Sequence, residues 1–231
     1  MQRMELNEMV KSNEKNDSQI EAVVFDMDGV LLDSERLSLF AWEKAAKEIN
    51  FAHALEAHTA CAGLSRSDAY TKLAELYGKD FPAKEFRERA SVIFAEMVDT
   101  DGLPLMPYAK EILEYLKGKK YPLALASSTR RQVVLKELTL TGLVGYFDYI
   151  ICGDQVTHSK PDPEIYTLSC KALSFAPENC LAVEDSFNGI ISAHAAGMKC
   201  AMVVDQFIPD EKIKSLLYKL CSSLENIKDF L

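Results

Sequence analysis

The sequence predicts an α/β protein with a doubly wound parallel sheet and a small all-helical domain inserted into it. Short apolar runs recur along the chain, as expected for strands that are buried on both faces. Helix-like segments separate the later runs, and such alternation is typical of a doubly wound sheet. One interval, residues 29–121, has no comparable run. It is far longer than the ~2–6 residues of an ordinary βα loop.

Five apolar runs are the predicted strands, in chain order Ala22–Phe25, Leu123–Ala126, Tyr149–Cys152, Leu181–Val183 and Ala201–Val204. The segments with helical character around the later strands are Tyr108–Lys119, Arg130–Leu140, Pro163–Leu173 and Phe187–Ala196. For the C-terminal segment Asp210–Leu231 we expect one helix, a turn at SSLENI and a short final helix, all with a packing role only.

The long interval is predicted to be helical because its apolar residues recur at helical spacing. We place this helical domain at residues 35–103, between core segments at 20–34 and 104–231. Residues 1–19 form a polar N-terminal extension that we expect to be frayed. The hinges of the helical domain are predicted at Gly29–Ser34 and Asp101–Pro104, which are rich in turn residues.

Composition excludes several classes of partner. The 231 residues carry a formal net charge of -9 and no Lys/Arg run longer than two, so a basic nucleic-acid footprint is absent. No apolar run approaches the ~18 residues of a membrane span, and the N-terminal region lacks the apolar segment of a signal peptide. The six cysteines form no CxxC pair and the four histidines lie apart. We therefore expect free thiols, no zinc site and a cytoplasmic location. We also expect a monomer, because a mobile helical domain needs room to move.

Polar side chains follow four of the predicted strands at the point where each strand ends. The clusters are Asp26 with Asp28, Ser127 to Thr129, Asp154 with Lys160, and Glu184 with Asp185. Taken singly, each is explained by a turn, a helix N-cap or surface charge. Because the carboxyl ends of parallel strands lie along one edge of a sheet, we expect all four clusters to converge on one site.

The aspartates at the end of the first strand lie two residues apart, so Asp26 and Asp28 face one pocket while Met27 points away. Four carboxylates at a buried sheet edge, counting Glu184 and Asp185, repel one another, so they need a cation to stay ionised. Carboxylate oxygens without a nearby histidine or cysteine suit Mg²⁺. Lys160 and the Ser127 hydroxyl suit an anionic substrate oxygen. Together these groups are typical of phosphoryl transfer.

This chemistry suggests a role for each group. Asp26 attacks phosphorus and forms an aspartyl-phosphate. Asp28 protonates the leaving oxygen and then takes a proton from the attacking water. Lys160 compensates charge on Asp26 and on the transferring group. Asp185, with Glu184 beside or behind it, holds the metal.

Four motifs carry a family resemblance: DMDGV at Asp26–Val30, ALASS at Ala124–Ser128, KPDPEIY at Lys160–Tyr166 and EDSFNG at Glu184–Gly189. In this order, over about residues 21 to 205, they resemble the haloacid dehalogenase-like superfamily of phosphotransferases. The resemblance implies a Rossmann-like three-layer core with a helical cap at this insertion position. The dehalogenases of the superfamily lack an aspartate at the position of Asp28 and use no metal, so we exclude carbon–halogen hydrolysis.

The resemblance also implies which residues form the site. Asp26 is the nucleophile and Asp28 the acid and base. Mg²⁺ is held by Asp26, the backbone carbonyl of Asp28 and Asp185, and Glu184 belongs to the same metal site. The residues predicted to bind the transferring phosphoryl group are Ser127, Ser128 and Lys160.

Within the superfamily, the sequence is similar to the beta-phosphoglucomutase and sugar-phosphatase branch. The stretch CAGLSRSDAY resembles the cap loop through which the mutase contacts its substrate, which makes Gly63, Ser65 and Arg66 candidate substrate contacts. Arg66 either binds the non-reacting end of a phosphosugar or is a solvated arginine at a helix start. Where the mutase has a histidine in its first cap helix this chain has Ser38, and the mutase's cap lysine has no counterpart near Arg89–Phe94.

These two departures favour a phosphatase, because a mutase must hold a bisphosphate whereas a phosphatase needs only to admit water. We therefore expect a Mg²⁺-dependent phosphatase that acts on a small phosphorylated metabolite, a sugar or sugar-alcohol phosphate. One alternative is a beta-phosphoglucomutase that acts on beta-glucose 1-phosphate. A second is a non-enzymatic phospho-accepting module, similar to a response-regulator receiver. The sequence does not identify the substrate.

Overall fold

The computed structural model describes residues 19–62, 64–204 and 208–231. Within these ranges it contains a six-stranded parallel sheet with the strand order β3-β2-β1-β4-β5-β6. The strands are β1 (Ala22–Phe25), β2 (Leu123–Ser127), β3 (Tyr149–Cys152), β4 (Cys180–Glu184), β5 (Lys199–Val203) and β6 (Lys219–Cys221). The strand order reverses between β1 and β4, and open α/β sheets bind ligands at such a switch point.

Helices cover both faces of the sheet. In the described residues they are α1 (Ser34–Glu48), α2 (Ala54–Cys61), α3 (Arg66–Tyr77), α4 (Ala83–Asp101), α5 (Ala109–Gly118), α6 (Arg131–Leu140), α7 (Glu164–Leu173), α8 (Phe187–Ala195) and α9 (Glu211–Lys214). One face packs against α5 and α6 through a cluster that includes Phe25, and the other packs against α7 and α8 through a cluster that includes Val24. Because successive residues of β1 enter opposite clusters, β1 is buried on both sides. The predicted three-layer α/β core is confirmed.

The helical insertion, residues 34–101, lies between β1 and β2 and consists of α1 to α4. It has a hydrophobic cluster of its own, which includes Trp42, Leu73 and Phe86. Trp42 packs edge-on against Phe86, with ring centroids 5.2 Å apart. The helical character predicted for this interval is confirmed. The domain limits at 35 and 103 and the role of a cap stay predictions.

The chain segments that join the helical insertion to the core lie side by side. Asp33 donates its backbone N–H to the carbonyl of Pro104 at 2.9 Å. Gly29, just after the two aspartates, has a φ of +76°, and a Cβ at this position would collide with the Asp185 carboxylate. The turn after β1 therefore requires glycine, both for its backbone conformation and for the close approach of Asp185.

The C-terminal segment differs from the predicted pair of helices. It contains the short helix α9, strand β6 and a 3₁₀ segment at Leu224–Asp229. Strand β6 has three residues and pairs with β5, with Ala201 opposite Lys219. Its extended conformation depends on that neighbour, so no local pattern predicts it. A second correction concerns β3, for which we expect burial on both faces: it lies at the edge of the sheet, and Tyr149 is 47% exposed.

Three remaining expectations concern the ends of the chain, its cysteines and membranes. The predicted N-terminal extension lies outside the described residues except for its last residue. All six cysteines are buried and free, as the sequence predicts. In the described part of the chain, every helix is too short or too polar to cross a membrane.

Candidate active site

The predicted residues from the ends of β1 and β4 and from the loop after β3 meet around Lys160. The Lys160 ammonium lies 2.6 Å from Asp26 Oδ1, 2.7 Å from Glu184 Oε1 and 3.0 Å from the carbonyl of Ala126. Its three N–H donors are therefore all engaged. Burial by itself would lower the pKa of Lys160, but the charges of Asp26 and Glu184 outweigh it and hold that pKa above its ordinary value.

Three buried carboxylates form an acid cluster at this point, which we define as Asp26, Glu184 and Asp185. One carboxylate oxygen from each residue lies within 4.8 Å of those from the other two. Burial, followed by the charge of Glu184, raises the pKa of Asp185 well above its ordinary value. Burial also raises the pKa of Asp26 well above its ordinary value, although Lys160 partly opposes the rise. A hard divalent cation fits this donor set, because it would offset the repulsion between the carboxylates.

Glu184 differs from the other two acids because both of its oxygens already accept hydrogen bonds. Oε1 accepts from Lys160 and, at 2.6 Å, from the hydroxyl of Tyr166. Oε2 accepts from the Ser186 hydroxyl at 3.0 Å. A Cβ at Gly189 would collide with this carboxylate, so the start of α8 closes over it. Glu184 thus holds Lys160 in place.

Asp28 lies among hydroxyl groups. Its Oδ1 accepts from Ser34 at 2.7 Å, and its Oδ2 accepts from Thr129 at 3.1 Å and from Ser127 at 3.4 Å. Burial raises the pKa of Asp28, and the hydroxyl donors partly oppose the rise. A carboxyl with a raised pKa and a fixed orientation suits a proton donor.

The residues predicted to bind phosphate take different positions. Ser127 is fully buried and directs its hydroxyl at Asp28, while Ser128 lines the cavity described below. Lys160 is engaged with the two carboxylates and with Ala126. Sequence reasoning missed Ser34 and Thr129 as partners of Asp28. Ser34 ends the predicted hinge Gly29–Ser34 and Thr129 ends the polar cluster after β2, but only the fold shows where their hydroxyls point.

A cavity of about 790 Å³ separates the carboxyl edge of the sheet from the helical insertion. Asp26, Asp28 and Asp185 line it on the core side. On the opposite side it is lined by Arg66 and Arg87, among other residues of the helical insertion. The cavity therefore meets the three aspartates at the sheet edge, and on the insertion it meets these cations as well as the acids Glu35 and Glu88.

The candidate substrate contacts of the CAGLSRSDAY stretch lie partly at this cavity. Ser65 and Arg66 both line it, whereas Gly63 lies outside the described residues. The Ser65 hydroxyl caps α3 by accepting the backbone N–H of Asp68 at 3.3 Å. Arg66 is the first residue of α3 and donates to the Ser91 hydroxyl at 3.4 Å. Arg66 thus starts a helix and also faces the cavity.

A histidine lies beside Ser38 although α1 itself supplies none there. Nε2 of His58, on α2, lies 3.0 Å from the Ser38 hydroxyl, and His58 lines the cavity. Burial, followed by the positive charge of Arg87, lowers the pKa of His58 to about 4. The imidazole is therefore neutral at physiological pH. Sequence spacing did not indicate this contact because it joins two helices through tertiary packing.

Contacts between the helical insertion and the core hold the insertion over the cavity. Asn188, at the start of α8, donates to the carbonyl of Ala62 at 2.9 Å. The Ser159 hydroxyl, next to Lys160, donates to the Asp68 carboxylate. Both core residues lie in or next to the motifs that supply the acid cluster and Lys160. The insertion therefore contacts the core directly beside these motifs.

Comparison with known proteins identifies the family of the chain. The family model described as haloacid dehalogenase-like hydrolase matches residues 23–203. A phosphorylated carbohydrates phosphatase of Thermotoga maritima is 34% identical over 184 residues, which cover 78% of this chain and 83% of the relative. A beta-phosphoglucomutase of Bacillus subtilis is 27% identical over 188 residues, which cover 78% of this chain and 81% of the relative.

A solved structure supports the fold. The beta-phosphoglucomutase of Clostridium difficile superposes with a TM-score of 0.75 at 24% identity, over 91% of this chain and 96% of that one. The family match spans both the acid motif after β1 and the acidic pair after β4. The chain belongs to the haloacid dehalogenase-like hydrolases.

Proposed function

We propose that the protein is a Mg²⁺-dependent phosphatase that hydrolyses a sugar or sugar-alcohol phosphate through an aspartyl-phosphate on Asp26. The observation that carries this proposal is the buried pair of Asp26 and Lys160 inside the acid cluster, at the floor of a cavity. The name of the Thermotoga maritima relative, a phosphatase of phosphorylated carbohydrates, supports the substrate class.

Asp26 is the nucleophile in this mechanism. Lys160 holds Oδ1 at 2.6 Å, which fixes the direction of the carboxylate and offsets part of its charge. A carboxylate oxygen of Asp26 attacks phosphorus, the bond from phosphorus to the leaving oxygen breaks, and an aspartyl-phosphate forms. Because Glu184 and Ala126 take the other donors of Lys160, the ammonium cannot swing away from Asp26 without losing hydrogen bonds.

Asp28 transfers the protons. It donates a proton to the leaving oxygen as that bond breaks, and it then accepts a proton from the water that attacks the aspartyl-phosphate. Burial raises the pKa of Asp28, which keeps the donor form available. The hydroxyls of Ser34 and Thr129 orient the carboxyl in both steps. The products are the alcohol and inorganic phosphate, and both carboxyl groups return to their starting states.

The acid cluster is the proposed Mg²⁺ site. Asp26 and Asp185 are the side-chain ligands, and the family resemblance adds the backbone carbonyl of Asp28. Glu184 has both oxygens engaged, so we assign it the positioning of Lys160 rather than a ligand role. When bound, the cation supplies positive charge that offsets the carboxylates and the phosphoryl oxygens.

A beta-phosphoglucomutase remains the second candidate because of one observation. Lys84 and Arg87, both on α4, line the cavity together with Arg66, so the helical insertion has cations there besides Arg66, none of them in the stretch Arg89–Phe94. Two guanidinium groups suit a second phosphate, which a mutase must hold.

One assay separates the two candidates. Phosphate release is measured with a panel of phosphosugars, polyol phosphates and nucleoside monophosphates, with and without Mg²⁺. Beta-glucose 1-phosphate is also assayed for glucose 6-phosphate, in the presence of a priming bisphosphate. Magnesium-dependent phosphate release supports the phosphatase. Glucose 6-phosphate with little free phosphate would replace it by the mutase, and an aspartyl-phosphate without turnover would indicate the receiver-like module.

A further inference from the structure

Glu137 is a buried carboxyl of the cavity wall that the mechanism does not use. It lies on α6, whose Val134 and Leu138 are in the core, and it faces the cavity together with Val133. The residue is only 5% exposed. Among the described residues, no group forms a hydrogen bond with its Oε2. A buried polar atom without a partner is costly, so such an atom beside a cavity points to a ligand.

The surroundings of Glu137 exclude two structural roles for its carboxyl: an ion pair with Lys136 and the positioning of Asp28. Its neighbour Lys136 is paired with Asp99 of the helical insertion at 3.0 Å. The carboxylate of Asp28 is oriented by Ser34, Thr129 and Ser127. Glu137 therefore does not serve to hold the catalytic acid, and the nearest lysine in sequence forms its ion pair elsewhere.

The protonation state of Glu137 narrows the kind of ligand. Burial, followed by the charge of Asp28, raises the pKa of Glu137 to about 8. At neutral pH the carboxyl is mostly protonated, so it can both donate and accept a hydrogen bond. A neutral hydroxyl matches such a group, whereas an additional anion would be repelled by the acids on the core side.

We propose that Glu137 is a specificity residue that binds a hydroxyl group of the leaving alcohol. This inference rests on the proposed phosphatase function and deepens it, because it restricts the substrates to phosphomonoesters whose leaving group carries further hydroxyls. Glu137 and Asp28 both line the cavity on the core side. Because Asp28 protonates the leaving oxygen, the leaving group is the part of the substrate that comes near Glu137. On the opposite wall, Arg87 Nε is also buried without a partner in the described part of the chain.

The test compares two substrates and three variants in the presence of Mg²⁺. A hexitol 6-phosphate has a leaving group rich in hydroxyls, and 4-nitrophenyl phosphate has none. Glu137→Met keeps the volume and removes the hydrogen bonds, Glu137→Asp moves the carboxyl back by one carbon, and Glu137→Gln keeps size and hydrogen-bonding capacity. For the hexitol phosphate we expect kcat/KM to fall about tenfold in the Met and Asp variants, mainly through KM, and to fall less than about threefold in the Gln variant.

For 4-nitrophenyl phosphate we expect all three variants to stay within about twofold of the wild type, since no hydroxyl contact is lost. An equal loss on both substrates, or no loss on the hexitol phosphate, would overturn the proposal. If the Met variant fails to fold, as circular dichroism would show, the Asp variant decides in the same way. If the wild type releases phosphate from 4-nitrophenyl phosphate but from no monoester that carries hydroxyls, the proposed specificity role of Glu137 is refuted and the phosphatase function is not. A wild type that releases none from any monoester refutes the phosphatase itself.

Discussion

Replacing Asp26 by asparagine is expected to abolish phosphate release and, without a cation, to stabilise the fold. The acid cluster contains three buried carboxylates around the ammonium of Lys160, so its fully ionised form has a formal charge of -2, three negative against one positive. Burial is the largest contribution that raises the pKa of Asp26 well above its ordinary value. Lys160 opposes this rise, while Glu184 and Asp28 add to it.

The direction of this pKa fixes the sign of the stability change. A carboxyl whose pKa is raised in the native state destabilises the fold at every pH above its unfolded pKa, because ionisation costs more in the native state. Asparagine removes that cost and keeps an oxygen that can accept from Lys160. We expect the metal-free variant to be more stable by on the order of 1–2 kcal/mol. For a chain of this size, that corresponds to a rise in Tm of roughly 2–4 °C per kcal/mol.

Thermal unfolding in EDTA and in excess Mg²⁺ measures the effect. The difference between Asp26→Asn and the wild type should shrink as the pH falls and should vanish below about 4, the unfolded pKa, where the wild-type carboxyl becomes protonated in both states. Mg²⁺ should raise the Tm of the wild type more than that of the variant. Asp99→Asn is the matched control, because Asp99 is an exposed carboxylate paired with Lys136. Retained phosphate release, or a lower Tm of the metal-free variant, would refute the reasoning.

Three further predictions concern the neighbours of Asp26. Asp28→Asn should lower kcat by about 10²–10⁴ in steady-state phosphate release, because the proton donor is lost; an unchanged kcat would contradict its role. Tyr166→Phe removes the 2.6 Å hydrogen bond to Glu184 and should lower the free energy of unfolding by about 1.5–3 kcal/mol in urea titrations. Asp185→Asn should raise the Mg²⁺ concentration that gives half-maximal activity at least about tenfold. Glu184→Gln should instead lower the stability of the fold and should change that Mg²⁺ concentration less. A larger metal effect of Glu184→Gln would make Glu184 a ligand.

The sequence predicts the strands that carry the site because their signals are local. Buried strands of a parallel sheet are continuous apolar runs, and the polar residues that end them stand out directly, as Asp26 and Glu184 do. Strand β6 has no such signal, since its three residues become extended only by pairing with β5. The same limit applies to Ser34 and Thr129, whose hydroxyls contact Asp28 through the turn after β1 and the end of β2.

The cavity wall of the helical insertion is the part that sequence reasoning predicts least. His58 reaches Ser38 from another helix, and Arg87 faces the cavity whereas Arg89, two residues later, pairs with Glu48. Which charged residues of α4 meet the cavity depends on how the four helices pack, because such residues occur on more than one side of its buried apolar face. The choice between phosphatase and mutase rests on these side chains, so it depends on tertiary structure more than on motifs.

The two aspartates that follow β1, Asp26 and Asp28, act differently because their surroundings differ. Asp26 belongs to the acid cluster with Glu184 and Asp185, whereas the oxygens of Asp28 accept from neutral hydroxyls. Without a cation, burial raises the pKa of both groups, and that of Asp26 rises well above its ordinary value. A cation bound by Asp26 and Asp185 would lower the pKa of Asp26 more than that of Asp28, since the Asp28 side chain lies outside that cluster. It would thereby favour an ionised nucleophile beside a carboxyl that keeps the raised pKa of a proton donor, and we expect phosphate release to need Mg²⁺ for this reason.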